Sequence, residues 1–329
     1  MEVFGEALGP EAARQARDAE ADGFDGLVAV DHFFSARPGA EPRWRIEPLV
    51  ALGAAAAVTS RISLGAMVLN VNFHHPAVIA HAMASLHELS EGRAELGLGL
   101  GWYGPEHTAF GLPWGEPRAR SGRLIEAAGV CRAMLEHRGA VSHHGAHFDV
   151  ENTVEWRWPP RPPVPIVIGA SSPALLNRAA AVANRIDLLH ASAAGRPVVD
   201  EAHSRSAERV ERLLEAARAS AMAARNSLKV SASITAALVA PGDRRAALER
   251  LGPELSSTAA LLEPDLLYVV GTDDDLFERI QTLAGLGVDR VHVIPAGPEP
   301  ARASEAVRQM LRDIQAVEPA RSDVTDLTR

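Results

Sequence analysis

The chain has 329 residues, 47% hydrophobic and 23% charged, which is the mix of a globular protein rather than a disordered or fibrous one. Its formal net charge is −9 with no Lys/Arg-rich run, which argues against a nucleic-acid partner. Cys131 is the only cysteine, so an intrachain disulfide and a cysteine-rich zinc site are both excluded. The N-terminus lacks a basic stretch followed by an apolar one, and no window approaches the roughly 20 apolar residues of a membrane span. The expected location is the cytoplasm, with no membrane partner.

Nearly continuous apolar runs, each suited to a parallel strand covered on both faces, alternate with longer amphipathic patterns. The predicted strands are Glu2–Leu8, Phe24–Val30, Ile62–Leu69, Ala94–Leu100, Pro165–Gly169, Ile186–His190, Val230–Val239 and Arg290–Pro295. The intervening helical patterns are Pro10–Ala21, Ile46–Thr59, Pro76–Leu89, Arg118–Glu136, Pro173–Ala183, Glu201–Arg225, Arg244–Ala260 and Asp273–Leu286. A last one covers Ala301–Val317. Proline follows Gly9, His75 and Ser172 at first-turn positions, and Gly23 and Gly287 stand where a helix ends. Eight strands each followed by a helix read as an α/β fold, a (β/α)8 TIM barrel spanning residues 1–318. A doubly wound open sheet has the same element order.

Some segments depart from this rhythm. A hairpin over Ala140–Val150 and the proline-rich run Trp158–Pro163 form an insertion between the fourth helix and the fifth strand. Leu266–Val270 reads as a short strand outside the barrel, and residues 319–329 as a polar tail. Cys131 falls inside a helical pattern, where a small buried hydrophobe is its expected role.

In a barrel the active site lies at the C-terminal ends of the strands. Strand two is followed by Asp31-His32, an acid/base candidate because histidine titrates near neutrality. Adjacent residues point opposite ways, so one of the two suffices to face the mouth. Strand three ends in Met67-Val68-Leu69-Asn70, and strand four in Gly97-Leu98-Gly99-Leu100-Gly101-Trp102 with Glu106 beyond. Alternating glycines share one face, where a flat ligand or phosphate can approach the backbone; tight barrel packing explains them equally well. Gly169-Ala170-Ser171-Ser172-Pro173 is a small-residue turn into a helix, a place where free N–H groups favour an anion, or where Ser172 caps the helix. His74-His75 and His143-His144-x-x-His147 lack the carboxylate–histidine pattern of a zinc site, and no metal is expected.

Taken in order, these strand ends resemble the luciferase-like oxidoreductases, the bacterial luciferase superfamily. The segments that carry the likeness are Asp22–Asp25 leading to Asp31-His32, Ile62–Leu69, Phe73–Ala80, Ser90–Trp102 with Glu106, Arg120–Glu126 and Pro165–Ala170. Asp31-His32, the Gly65–Phe73 stretch and Gly101-Trp102 followed by Glu106 look most like the actinobacterial branch that uses coenzyme F420.

The resemblance implies hydride transfer to or from an organic substrate, with His32 and Glu106 as catalytic residues. It implies a non-prolyl cis peptide at Met67-Val68 behind the cofactor ring. Cofactor contacts would come from Asp31, Met67, Val68, Asn70, Gly99, Gly101 and Trp102, and the phosphate would sit at Gly169, Ala170, Ser171 and Ser172. The alternative is an FMN-dependent monooxygenase served by a separate flavin reductase; a non-catalytic flavin- or deazaflavin-binding protein is a further reading. A homodimer is implied by the family. His107 stands where an aromatic is usual, and Met67 is bulkier than the residue often found at the bulge.

Overall fold

A computed structural model describes residues 2–7, 11–35, 43–137, 139–151, 162–170, 172–189, 192–193, 196–197, 206–254, 262, 264–296 and 300–317. Ser171, Leu8, Gly9-Pro10, His190, Trp158–Arg161, the starts or ends of two helical patterns (201–205 and 255–260) and the 319–329 tail lie outside them.

Eight parallel strands form the central sheet: β1 (Glu2–Ala7), β2 (Gly26–Ala29), β3 (Ser63–Ala66), β4 (Ala94–Gly99), β5 (Ile166–Ala170), β6 (Arg185–Leu188), β7 (Lys229–Leu238) and β8 (Arg290–Pro295). Each pairs with the next in chain order, and β8 pairs back onto β1, so the sheet closes into a ring. That closure excludes the open doubly wound sheet. All eight positions match strands predicted from apolar runs, because a strand covered on both faces needs no alternation.

The helices are α1 (Ala12–Ala21), α2 (Pro48–Ala56), α3 (Pro76–Leu89), α4 (Gly104–Phe110), α5 (Pro117–Glu136), α6 (Pro173–Ala180), α7 (Ala207–Ala223), α8 (Arg244–Glu254), α9 (Asp273–Gly285) and α10 (Pro300–Val317). His75 and Ser172 cap α3 and α6 with proline in the first turn, as their sequences predict. Thr272 and Asp275 form a capping box on α9. Gly23 and Gly287 follow α1 and α9 with φ of 86° and 82°, a conformation that costs a residue with a Cβ. None of the described helices is long and apolar enough to cross a membrane.

Outside the ring, Tyr268–Gly271 pairs in parallel with the upper half of β7 and covers a small second core of Val239, Leu248 and Val270. Ser142–His144 and Asp149–Glu151 pair antiparallel between α5 and β5.

The ring's interior is polar towards its N-terminal end. Arg290 on β8 reaches across to Glu95 on β4, which fixes both side chains as inward-facing. One level higher, Asp187 on β6 accepts from Ser233 Oγ on β7 at 2.7 Å and lies 3.1 Å from His292 Nδ1 on β8. Burial would raise the Asp187 pKa, but the facing His292 and the serine hydroxyls hold it low. These charges are buried, and each has a partner, as buried charge requires.

Candidate active site

Strand three carries one residue more than its neighbour at the mouth. Gly65 pairs with Glu95, and pairing resumes at Leu69 with Leu98, so β3 advances four residues while β4 advances three. The extra residue forms a β-bulge, and the Met67–Val68 peptide inside it is cis, at the position the resemblance implies. Met67 and Val68 are half-buried.

The glycines of β4 and β5 are explained by this bulge. A Cβ at Gly97 would fall 1.8 Å from Ala66 O, and one at Gly99 would fall 2.2 Å from Val68 Cγ2. At Gly169 it would meet Val68 Cγ1 at 3.1 Å and Leu189 Cδ1 at 2.5 Å. The space reserved by Gly97 and Gly99 is therefore filled by strand three, not held open for a ligand at those two positions. Of the two sequence readings of the alternating glycines, the structure favours packing. Gly101 is needed for its φ of 73° and because Asn70 occupies the position a side chain would take.

Two adjacent residue pairs, Asp31-His32 and Glu106-His107, interlock with Asn70 just beyond the bulge. Asp31 and His32 end the β2 segment; Asp31 Oδ2 accepts the Asn70 N–H at 2.8 Å and a hydrogen bond from His74 Nε2 at 2.9 Å. His32 turns the other way and donates through Nδ1 to Glu106 Oε2 at 2.8 Å. Glu106 is only 1% exposed, and its Oε1 accepts the Phe33 and Phe34 N–H groups at 2.7 and 3.2 Å. One buried carboxylate thus fixes both the backbone after His32 and the tautomer of its ring, leaving Nε2 uncommitted to Glu106.

The next residue, His107, completes the weave. Its Nδ1 donates to Pro113 O at 2.7 Å, and its Nε2 accepts from Asn70 Nδ2 at 3.1 Å. The contact from Asn70 needs the neutral ring, because only then does Nε2 accept, whereas the Nδ1 bond to Pro113 favours the charged one. Burial, followed by the weaker effect of Arg120, lowers the pKa and supplies the neutral state. Asn70 Oδ1 accepts the Asn72 N–H, and Asn72 Nδ2 donates to Leu100 O. For His74, burial opposes the charged ring, but the hydrogen bond and charge of Asp31, backed by Glu47, raise its pKa overall. Arg120 donates to Gly101 O at 2.6 Å and stacks over Trp114, which supports the Gly101-Trp102 turn from behind.

Trp102 lies edge-on to His32, with centroids 5.7 Å apart. Ser172 accepts the Leu175 N–H through its side chain and so caps α6, two residues beyond the end of β5. The structure therefore brings Asp31, His32, Asn70, Gly101, Trp102 and Glu106 together around the Val68 bulge. Gly169 and Ala170 end β5, with Gly169 against Val68, and Ser172 caps the helix α6 that follows.

Asn72, His74, His107 and Arg120 escaped the sequence reading as site partners, and so did helix α4. Gly104-Pro105 at its start and Gly111 at its end, with φ of 65°, were the available signals for that helix. His143 and His144 pair with Glu126 and Asp149 in the hairpin, and no metal-binding group of three occurs among the described residues.

The family model described as luciferase-like monooxygenase matches residues 7–290 of the chain. An F420-dependent glucose-6-phosphate dehydrogenase from Nakamurella multipartita is 34% identical over 187 residues, covering 54% of this chain and 52% of that protein. A namesake from Beutenbergia cavernae is 35% identical over 162 residues, covering 47% and 45%. The chain thus matches about half the length of these relatives.

Among solved structures, an F420-dependent secondary alcohol dehydrogenase in complex with an F420–acetone adduct superposes with a TM-score of 0.77 at 17% identity, covering 97% of this chain and all of that one. EDTA monooxygenase from Chelativorans sp. BNC1 gives 0.74 at 15% identity, covering 99% and 96%. At these identities the superpositions establish the fold.

Proposed function

Since the chain belongs to the luciferase-like monooxygenase family, we propose that it is an oxidoreductase using coenzyme F420 for hydride transfer to or from a small organic substrate. The observation that carries this reading is the His32–Glu106 dyad, set beside a half-buried apolar bulge at the barrel mouth. The residues present fit a planar cofactor. Val68 is wedged from below by Gly99 and Gly169 yet remains partly open, which makes it a firm apolar support. When bound, such a cofactor supplies the two-electron carrier.

His32, with Nδ1 held by Glu106, presents Nε2 as the atom that gives or takes the substrate proton. Glu106 positions that ring and keeps the Phe33-Phe34 backbone in place. Asp31 and Asn70 fix the bulge through the Asn70 N–H, and Trp102 borders His32. The cap of α6 at Gly169–Ser172 is the proposed phosphate position, where a helix start favours an anion. The 34–35% identity to F420-dependent dehydrogenases, over about half of each, supports the cofactor choice.

The second reading, an FMN-dependent monooxygenase with a partner reductase, draws on monooxygenases that share the fold. Difference spectra recorded on adding oxidised F420 or FMN decide between them. F420 binding is expected, and binding of FMN alone would overturn the preferred cofactor. His32→Ala in the active enzyme is expected to lower turnover by ~10²–10⁴-fold. Near-normal turnover would remove His32 from the chemistry. Cytoplasmic location and homodimer formation belong to the same proposal, and sedimentation of the purified chain tests the dimer.

A further inference from the structure

Aromatic residues are scarce in this chain, with eight Phe, five Trp and two Tyr, yet among the described residues a run of them is linked ring to ring outward from His32. The run starts at the His32 ring and passes to Trp102 at 5.7 Å, Tyr103 at 5.4 Å, Phe34 at 6.1 Å, Phe110 at 6.5 Å and Trp44 at 6.1 Å. Phe33 stacks on Phe110 with centroids 3.9 Å apart and planes 17° from parallel. Two structural features hold the run in place. Glu106 binds the backbone of Phe33 and Phe34, and Phe34 pairs with Trp44 across a two-residue antiparallel ladder.

The outer rings are open to solvent: Trp44 is 76% exposed, Phe110 41% and Trp102 39%. Large aromatics left exposed together beside a proton-handling dyad mark a surface that something apolar covers. Its continuity with His32 ring by ring ties that surface to the reaction rather than to a remote face. Ring faces and edges offer shape and dispersion but few hydrogen bonds, so they select flat, uncharged molecules.

The charges nearby point the same way. Arg43 and Arg45 flank Trp44 at exposed positions, the Arg45 N–H donating to Phe33 O at 2.9 Å, and an exposed guanidinium gains little from an ion pair. Lys229, the only lysine, begins β7 at the opposite end of the barrel.

Resting on the hydride-transfer reading above, we infer that the organic substrate is a planar, uncharged molecule of fused rings that lies on this aromatic shelf with one edge toward His32. A phosphorylated sugar does not suit the shelf.

Calorimetric titration of the full-length protein, with and without bound F420, tests this with 1-indanone and glucose 6-phosphate as ligands. 1-Indanone is expected to bind, and Trp44→Ala and Phe110→Ala to weaken it about tenfold each, with F420 affinity unchanged. Trp44 is so exposed that its truncation leaves the fold intact, which circular dichroism verifies.

Tighter binding of glucose 6-phosphate than of 1-indanone would overturn the inference, as would ring variants that bind 1-indanone normally. Should those variants instead dissociate a dimer while 1-indanone affinity stays unchanged, the shelf is a face between copies and the inference is wrong. Failure of F420 to bind would defeat the hydride-transfer reading alone, because titration of the cofactor-free protein still decides the shelf.

Discussion

Val68 rests on Gly99: a methyl group at position 99 would stand 2.2 Å from Val68 Cγ2 and 3.2 Å from its Cβ. The support beneath the proposed cofactor is therefore defined by an absent side chain on the adjoining strand.

Gly99→Ala is accordingly expected to destabilise the protein by about 1–3 kcal/mol, the cost of overpacking a filled interior. The double variant Gly99→Ala/Val68→Ala should recover part of this, because it removes the atom in collision. Chemical denaturation of the double variant and of each single variant, Gly99→Ala and Val68→Ala, measures the coupling. Strict additivity would mean that Gly99 serves something other than Val68.

Glu106 has two separable duties, and two substitutions divide them. Glu106→Ala leaves the Phe33 and Phe34 N–H groups without their acceptor, at about 1–3 kcal/mol of stability. Glu106→Gln keeps a carbonyl oxygen for those N–H groups but presents an amide N–H to His32 Nδ1, which drives the ring hydrogen to Nε2. Its stability should stay within about 1 kcal/mol of the parent while turnover falls at least about tenfold. Equal losses in both measurements would make Glu106 a structural anchor alone.

His74 and His107 are expected to titrate on opposite sides of the ordinary value of 6.5, His74 above it and His107 below. The raised group stabilises the fold fully below 6.5, and that contribution is lost as pH rises through the His74 midpoint. The depressed group contributes above 6.5 and loses its contribution as pH falls through the His107 midpoint. Imidazole Cε1–H chemical shifts followed with pH give both midpoints, and His74→Asn assigns the upper one. A His74 midpoint below 6.5 would contradict the Asp31 pairing.

Cys131 is fully buried, its thiol donates to Pro76 O at 3.3 Å, and burial pushes its pKa up to about 12. In the native protein at pH 8 it should resist an aromatic disulfide reagent and react only as fast as the structure opens around α3 and α5. Fast stoichiometric labelling without denaturant would show that this interface breathes.

The barrel was legible because its strands announce themselves one at a time, as short apolar runs such as Ile166–Ala170 that owe nothing to distant residues. The candidate residues Asp31, His32 and Asn70 could be picked out at strand ends and Glu106 beyond strand four, with their roles implied by the family resemblance. Their partners could not. Asp31 meets His74 across 43 residues and Asn70 meets His107 across 37, and no local pattern encodes such pairings. The glycine run was visible, but its reason was not, since the occupant of the space above Gly97 and Gly99 arrives from another strand.

The unequal advance of β3 and β4 has one more consequence, which concerns parity. Glu95 faces the interior, so its partner Gly65 does too, as do Gly97 and Gly99. Had the strands stayed in step, Leu69 would stand opposite Gly99 and turn inward. The bulge gives that place to Asn70 and sends Leu69 outward to the helices. Deleting one residue between Gly65 and Leu69 would let the two strands run in step with Asn70 still opposite Gly99. What the extra residue adds is therefore the Val68 bulge itself, inserted without moving the amide that binds His107.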